Sequence, residues 1–349
     1  MHVSTELPLH TGKAPRWLFE RMERLSKAIC TVIIDEFGPD DLLAKLSDSN
    51  WFQALSCAVG YDWHSSGTTT VMTGALKSVM NSSGEIFFAG GKGKAGLRAP
   101  AEIEKGVDLL SAPGPVDLYK ECSRLAAKID SAMVYDGIGI YHHTFIFTKN
   151  GKWGVIQQAM SESTKMAIRF QWFSDYLNSK DFTEEPHASV SSKMRRRSLD
   201  LTNVENRWAR EGSIDSLPEF ERIVNGMSYP ERHEIIPQID IGKRGLDAIR
   251  KAGELDPKDY RDLLLVKGVG RSVLRSLAFV SSLIYDKELA YRDPVAYAYS
   301  LGGKDGIPFP VNRITYDKVI ESMEALIDSA RIDSGEKQRA LKRLSFSLA

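Results

Sequence analysis

Residues 263 to 283, LLLVKGVGRSVLRSLAFVSSL, limit what this chain can fold into more than any other stretch. An apolar run meets Gly268-Val269-Gly270, and a second run follows with Val273, Leu274, Leu277 and Val280 spaced for one helical face. The spacing predicts two helices joined by a tight glycine turn, a helix-hairpin-helix. Glycine lets the backbone turn sharply and approach a ligand closely. The first amides of the second helix have no acceptor within that helix, so they suit a phosphate oxygen. Lys267, Arg271 and Ser272 flank the turn and extend the same surface. The expected ligand is a nucleic-acid backbone, gripped without reading its sequence. The plain alternative is a pair of packed helices.

Such a ligand needs positive charge, and the chain has none to spare globally. Lys plus Arg and Asp plus Glu both number 46, so basic side chains must be gathered locally. One cluster is Lys193, Arg195, Arg196 and Arg197, with a solvated linker as its plain alternative. Cys30, Cys57 and Cys122 are far apart and sit among apolar residues, which predicts buried thiols rather than a zinc or iron–sulfur loop. No signal peptide and no apolar run of about 20 residues is visible, so a cytoplasmic protein without a membrane partner is expected.

The periodicities predict a mostly helical α+β fold. Residues 1–190 read as a mixed domain with a small β-hairpin or sheet, 191–235 as a basic and helical connector, and 236–349 as a helical domain carrying the glycine turn. Residues 85–99 read as a buried strand ending in a glycine-rich loop. Asn150-Gly151 predicts a hairpin between 144–148 and 153–158. Helices are expected over 71–80, 123–131, 161–177 and 312–330.

Four groups of residues could carry chemistry. Asp62, His64, Ser65, Ser66, Thr68 and neighbouring hydroxyls fall within nine residues. They suit phosphate binding at a helix start, with Asp62 as a general base or amine-orienting group; a helix cap is the simpler reading. Gly90-Gly91-Lys92-Gly93-Lys94 places an amine at a strand end, although the spacing is not that of a P-loop. That amine could bind phosphate or act as a nucleophile. His142 and His143 are consecutive and must face opposite sides of a strand. Shared metal ligation is therefore disfavoured, and His143 with Gln157 and Gln158 reads instead as a hydrogen-bonding set. Arg292-Asp293-Pro294 follows the glycine turn, and Lys304 lies in a glycine- and proline-rich loop beyond it.

The segments WFQALSCAVGYDWHSSGTTT, AGGKGK, YHHTFIFTKNGKWGVIQQAM, EEPHA, LLLVKGVGRSVLRSLAFV and YRDPVAYAYSLGGKDGIPFPV occur here in order, after ELPLH at Glu6 to His10. In this the chain resembles, over nearly its whole length, an archaeal helix-hairpin-helix family long described only as a domain of unknown function. The resemblance implies abasic-site lyase activity on DNA, with some glycosylase action on oxidised pyrimidines such as 5-hydroxyuracil, and no cofactor. It also implies a fold unlike other lyases.

Within such a lyase the residues point to Lys92 as the nucleophile, Lys94 as its alternative, and Asp62 or His64 as the base. Glycosylases with this hairpin carry an aspartate at about the position of Asp293, and those that also cut the strand carry a lysine where this chain has Ser272. The similarity to them is partial. A monofunctional glycosylase using Asp293 and a non-catalytic DNA-binding protein are the alternatives.

Overall fold

Asn150-Gly151 closes the central hairpin of the sheet: Gly151 takes φ +92° and its N–H donates to the Thr148 carbonyl at 3.0 Å. The computed structural model describes residues 7–8, 16–59, 66–135, 139–160, 166–177, 181–191, 199–218, 220, 242–285 and 289–290. The flanking strands are β4 (Gly139–Thr148) and β5 (Trp153–Met160). Around them stand β1 (Leu7–Pro8), β2 (Ile86–Lys92), β6 (Met166–Phe173) and β7 (Ser189–Ser191). The antiparallel order is β1-β6-β5-β4-β2, with β7 also on β6. A second, two-stranded ribbon pairs β3 (Val134–Tyr135) with β8 (Leu199–Asp200).

Both faces of the sheet are covered, which is why β4 and β5 are buried along most of their length rather than at alternate residues. On one face Ile86, Phe88, Ile146 and Ile156 pack against α1 (Arg16–Phe37), α2 (Pro39–Leu46), α3 (Ser49–Ala58) and α4 (Ser66–Met80). On the other, Phe87, Phe145, Phe147, Val155 and Trp172 pack against α5 (Ala99–Leu110) and α6 (Val116–Ala132). That second core continues through α6 into α8 (Arg207–Asp215), α9 (Gly242–Leu255), α10 (Tyr260–Leu265) and α11 (Arg271–Tyr285). A one-turn α7 (Ser174–Leu177) follows β6. The fold is α+β and mostly helical, as expected.

Two expectations about elements change. The helix expected over 161–177 changes: among its described residues, 166–177, Met166–Phe173 is a strand and only Ser174–Leu177 is helical. The segment alternates with period two, Ile168, Phe170 and Trp172 on one face and Arg169 and Gln171 on the other, and it is rich in residues that favour strands. The helix expected from Val71 begins at Ser66. Its threonines are accommodated by back-bonding, Thr70 Oγ1 to the Gly67 carbonyl at 3.1 Å and Thr73 Oγ1 to the Thr69 carbonyl at 2.7 Å.

The expected boundary at 190/191 falls within β7, and β8 beyond it pairs back to β3. Cys30 and Cys122 are buried free thiols, and burial pushes Cys30 up to about 12. No helix among the described residues is long and apolar enough to cross a membrane.

Candidate functional site

Strand register builds a polar row across the sheet on the face covered by α3 and α4. Lys92 pairs with His142, His142 with Gln158, Gln158 with Arg169, and Arg169 with Ser191. Cross-strand partners share a face, so five residues far apart in sequence lie side by side. The first turns of α4 lie over this row. Thr69 donates its hydroxyl to Gln158 Oε1, and Gln158 Nε2 donates to the Ser66 carbonyl at 2.8 Å and to the Tyr141 hydroxyl. Ser66 and Thr68, expected to hold phosphate, are buried in this turn.

His142 is enclosed. Its Nε2 lies 3.1 Å from Thr73 Oγ1 and 2.9 Å from Thr144 Oγ1, and its Nδ1 is buried without a partner. Burial first, then the charges of His143, Lys92 and Lys77, push its pKa from 6.5 down to about 3. The fold therefore excludes a proton that the unfolded chain accepts below pH 6.5, and stability from this site is complete above that pH and declines as pH falls towards 3. At about 1.4 kcal/mol per pH unit, the decline reaches on the order of 2–3 kcal/mol by pH 4.5. Urea unfolding at pH 7.0, 5.5 and 4.5 checks this: His142→Gln is expected to flatten the acid slope by that amount, and an unchanged slope would remove His142 as its source.

The glycine-lysine loop is fixed at the edge strand. Gly90 N–H donates to Glu102 Oε2 at 2.7 Å, and Lys77 Nζ donates both to the Gly90 carbonyl at 2.7 Å and to Glu102. The pair Lys77–Glu102 thus replaces a neighbouring strand at Gly90. Beyond it the chain tightens into a 3-10 turn, Gly93–Arg98, and Lys92 and Lys94 are exposed on it.

The opposite sheet face carries a buried relay. His143 Nδ1 faces Gln157 Oε1 at 2.9 Å, while Gln157 Nε2 donates to Asp130 and to the Ala126 carbonyl at 3.1 Å. The amide orientation puts the imidazole proton on Nδ1, so Nε2 accepts from the Ser123 hydroxyl at 2.8 Å. Asp130 also accepts from Trp172 Nε1 at 3.0 Å and contacts His187 Nε2 at 2.6 Å. Burial lowers the His143 pKa, partly offset by its bond to Gln157 and by Asp130. The two histidines do face opposite sides, as adjacent strand residues must. Among the described residues no three His, Cys, Asp or Glu side chains converge as a metal site would require.

The glycine turn joins α10 to α11. Val269 is fully buried, whereas Lys267, Gly268 and Ser272 are exposed and Gly270 is half-buried. Gly268 takes φ +97°, and a Cβ there would lie 3.0 Å from the Ala248 methyl. Val269 N–H closes the turn onto the Val266 carbonyl at 3.2 Å. The turn is tied to α6: Lys128 Nζ donates to the Val269 carbonyl, and Arg271 donates twice to the Ser131 carbonyl at 3.0 and 2.8 Å. Partial burial lowers the Lys128 pKa.

Lys92, Lys94, Ser66, Thr68, His143, Gln157, Gln158 and residues 267–272 therefore have described positions, and α6 links the hairpin to His143. Asp62, His64, Ser65, Arg195, Arg196, Asp293 and Lys304 lie outside the described residues. Among the contributors that escaped sequence reasoning are Lys77, Ser123, Lys128, Asp130 and Arg169. Only Lys128 carried a local signal, standing at helical spacing from Lys120 and Arg124 on α6.

No curated protein and no solved structure matches this chain. A family model described as "Protein of unknown function (DUF763)" matches residues 3–311, and the chain belongs to that family.

Proposed function

We propose that the protein is a DNA-repair lyase that cleaves DNA at abasic sites. The observation that carries the proposal is the arrangement on α6. Ser123 holds His143, the strand neighbour of the glycine-lysine loop, while Lys128 and Ser131 hold the glycine turn. These anchor points are separated by about 8 to 12 Å along the helix axis. The glycine turn and the strand neighbour of a loop bearing two exposed amines are thus both tied to one helix.

In the proposed reaction a lysine amine attacks C1′ of the ring-opened sugar and loses water to form a Schiff base. A base removes a C2′ proton, the C–H electron pair forms a C2′=C3′ double bond conjugated with the imine, and the C3′–O bond breaks as the 3′ phosphate leaves. Hydrolysis of the imine frees the lysine. Lys92 is the proposed nucleophile with Lys94 beside it. The expected Asp62 and His64 remain the proposed bases; His142 stands in register with Lys92 but is enclosed, and burial disfavours its protonated form.

A specific observation favours Lys128 as a second amine. It already touches the hairpin turn, and burial lowers its pKa. Glycosylase action on oxidised pyrimidines belongs to the same proposal as a preceding step on the same lesion.

The test is strand cleavage of an abasic duplex in EDTA, alongside a duplex carrying 5-hydroxyuracil. Cleavage at the abasic site is expected; salt-sensitive binding without any cleavage would leave a DNA-binding protein instead. The hairpin has its own expectation. Lys267 is exposed beside the turn, so Lys267→Ala should weaken binding alike for unrelated sequences and lower the slope of log K against log salt by about one. Fluorescence anisotropy between 50 and 200 mM salt measures it, and an unchanged slope would place the backbone contact elsewhere.

A further inference from the structure

Leu97 is 83% exposed, more than any other large apolar side chain among the described residues. It stands in the 3-10 turn Gly93–Arg98, which follows β2 at the edge of the sheet. The exposure does not come from a loose loop, because the turn is clamped at both ends. Before it, Lys77 and Glu102 hold Gly90. After it, Ala99 is 1% exposed at the start of α5, and its N–H donates to the Gly96 carbonyl. The turn also folds back onto β2: a Cβ on Gly96 would lie 3.0 Å from the Gly91 carbonyl oxygen, and one on Gly91 would lie 3.3 Å from the Ala95 methyl.

A 3-10 turn repeats every three residues, so Lys94 and Leu97 share a face, about 6 Å apart along the axis. Both are exposed, whereas Ala95 and Gly96 are half-buried towards β2. Lys92 and Arg98 are exposed at the two ends of the same turn. Arg98 Nε lies 3.8 Å from Glu102, while no carboxylate among the described residues pairs with Lys92 or Lys94. A rigid turn thus presents one apolar tip among cationic side chains.

The complementary partner is an apolar slot bordered by negative charge. An anionic membrane offers both features, but one leucine buries too little apolar area to hold a protein there. A duplex lacking one base offers a slot between two base faces, with phosphates on its borders. Wedging a side chain into an intact base step costs unstacking. At an abasic site the base is already gone, so that cost falls and the tip favours the lesion.

We propose that Leu97 enters the gap left by the missing base of an abasic duplex and positions the sugar for the amines of its own turn. The choice of an abasic partner rests on the proposed lyase reaction. Leu97 takes no part in the chemistry and is a positioning residue.

The experiment uses the full chain and a duplex with tetrahydrofuran in place of the abasic sugar. Tetrahydrofuran cannot open to an aldehyde, so binding is read without cleavage. A 2-aminopurine beside the gap reports stacking. The wild type should bind this duplex about tenfold more tightly than the intact one, the effect of burying one leucine side chain, and the 2-aminopurine emission should change on binding. Leu97→Ala should lose both the preference and the emission change, and Leu97→Met, which keeps an apolar tip of similar length, should restore them. Leu109→Ala removes another exposed leucine, on α5, and should keep both.

No preference in the wild type, or a preference and emission change that persist in Leu97→Ala, would overturn the proposal. So would binding to phosphatidylserine vesicles through Leu97 without any preference for the gapped duplex. Cleavage of a natural abasic duplex is measured alongside. A gap preference that depends on Leu97, with no cleavage by the wild type, would support the wedge and count against the lyase alone.

Discussion

Gly90→Ala is expected to destabilise the protein by about 3 kcal/mol or more, because two costs fall on one residue. Gly90 takes φ +97°, which an L side chain rarely adopts, and a Cβ there would lie 2.3 Å from the His143 backbone oxygen. That neighbour cannot rotate away, since it belongs to the β2–β4 ladder. The Lys77–Glu102 pair also holds Gly90 by its N–H and its carbonyl. Gly114 is the control: its φ is +90° but a Cβ would meet nothing within 4 Å. Gly114→Ala should cost only about 1–2 kcal/mol, the backbone penalty alone. Urea unfolding of both variants makes the comparison, and equal losses would show that close approach at Gly90 is not what sets the cost.

Asp130→Ala should cost on the order of 3–5 kcal/mol. The carboxylate is 3% exposed and serves Gln157, Trp172 and His187 together. Removing it strands these partners in a site that water reaches poorly, and it releases Gln157, which orients His143 towards Ser123. A double-mutant cycle with His187→Ala should give a coupling of about 1 kcal/mol or more, because the two share a bond. A loss below about 1 kcal/mol for Asp130→Ala would mean that the relay is not a structural unit.

How much of this was legible in the sequence depended on how local the cause is. Asn150-Gly151 sets its own turn, so the β4–β5 hairpin could be placed from residues alone. The opposite facing of His142 and His143 follows from the pleat. The glycine turn near Gly268 depends on short-range spacing, and its two helices formed where the apolar positions required.

The polar row could not be read in this way. It needs the registers of five strands, and Lys92, His142, Gln158, Arg169 and Ser191 carry no common local signal. Arg169 is hidden further when its segment is read as a helix, because that reading overlooks the period-two alternation that strand pairing follows. Ser123 and Asp130 looked like ordinary polar helix residues; only the packing of α6 on the sheet turns them inward.

The proposed lyase stands or falls on whether an amine of this chain becomes covalently joined to an abasic sugar. Borohydride reduces the imine to a stable bond, so wild-type protein, abasic duplex and borohydride in EDTA, followed by proteolysis and mass mapping, identify the residue. The sugar remnant is expected on Lys92, with Lys94 or Lys128 as the remaining amines of the loop and hairpin, and trapping should disappear when the mapped lysine is replaced by alanine. No cross-link under conditions where the duplex is bound, or a cross-link at a lysine outside these three, would contradict the assignment.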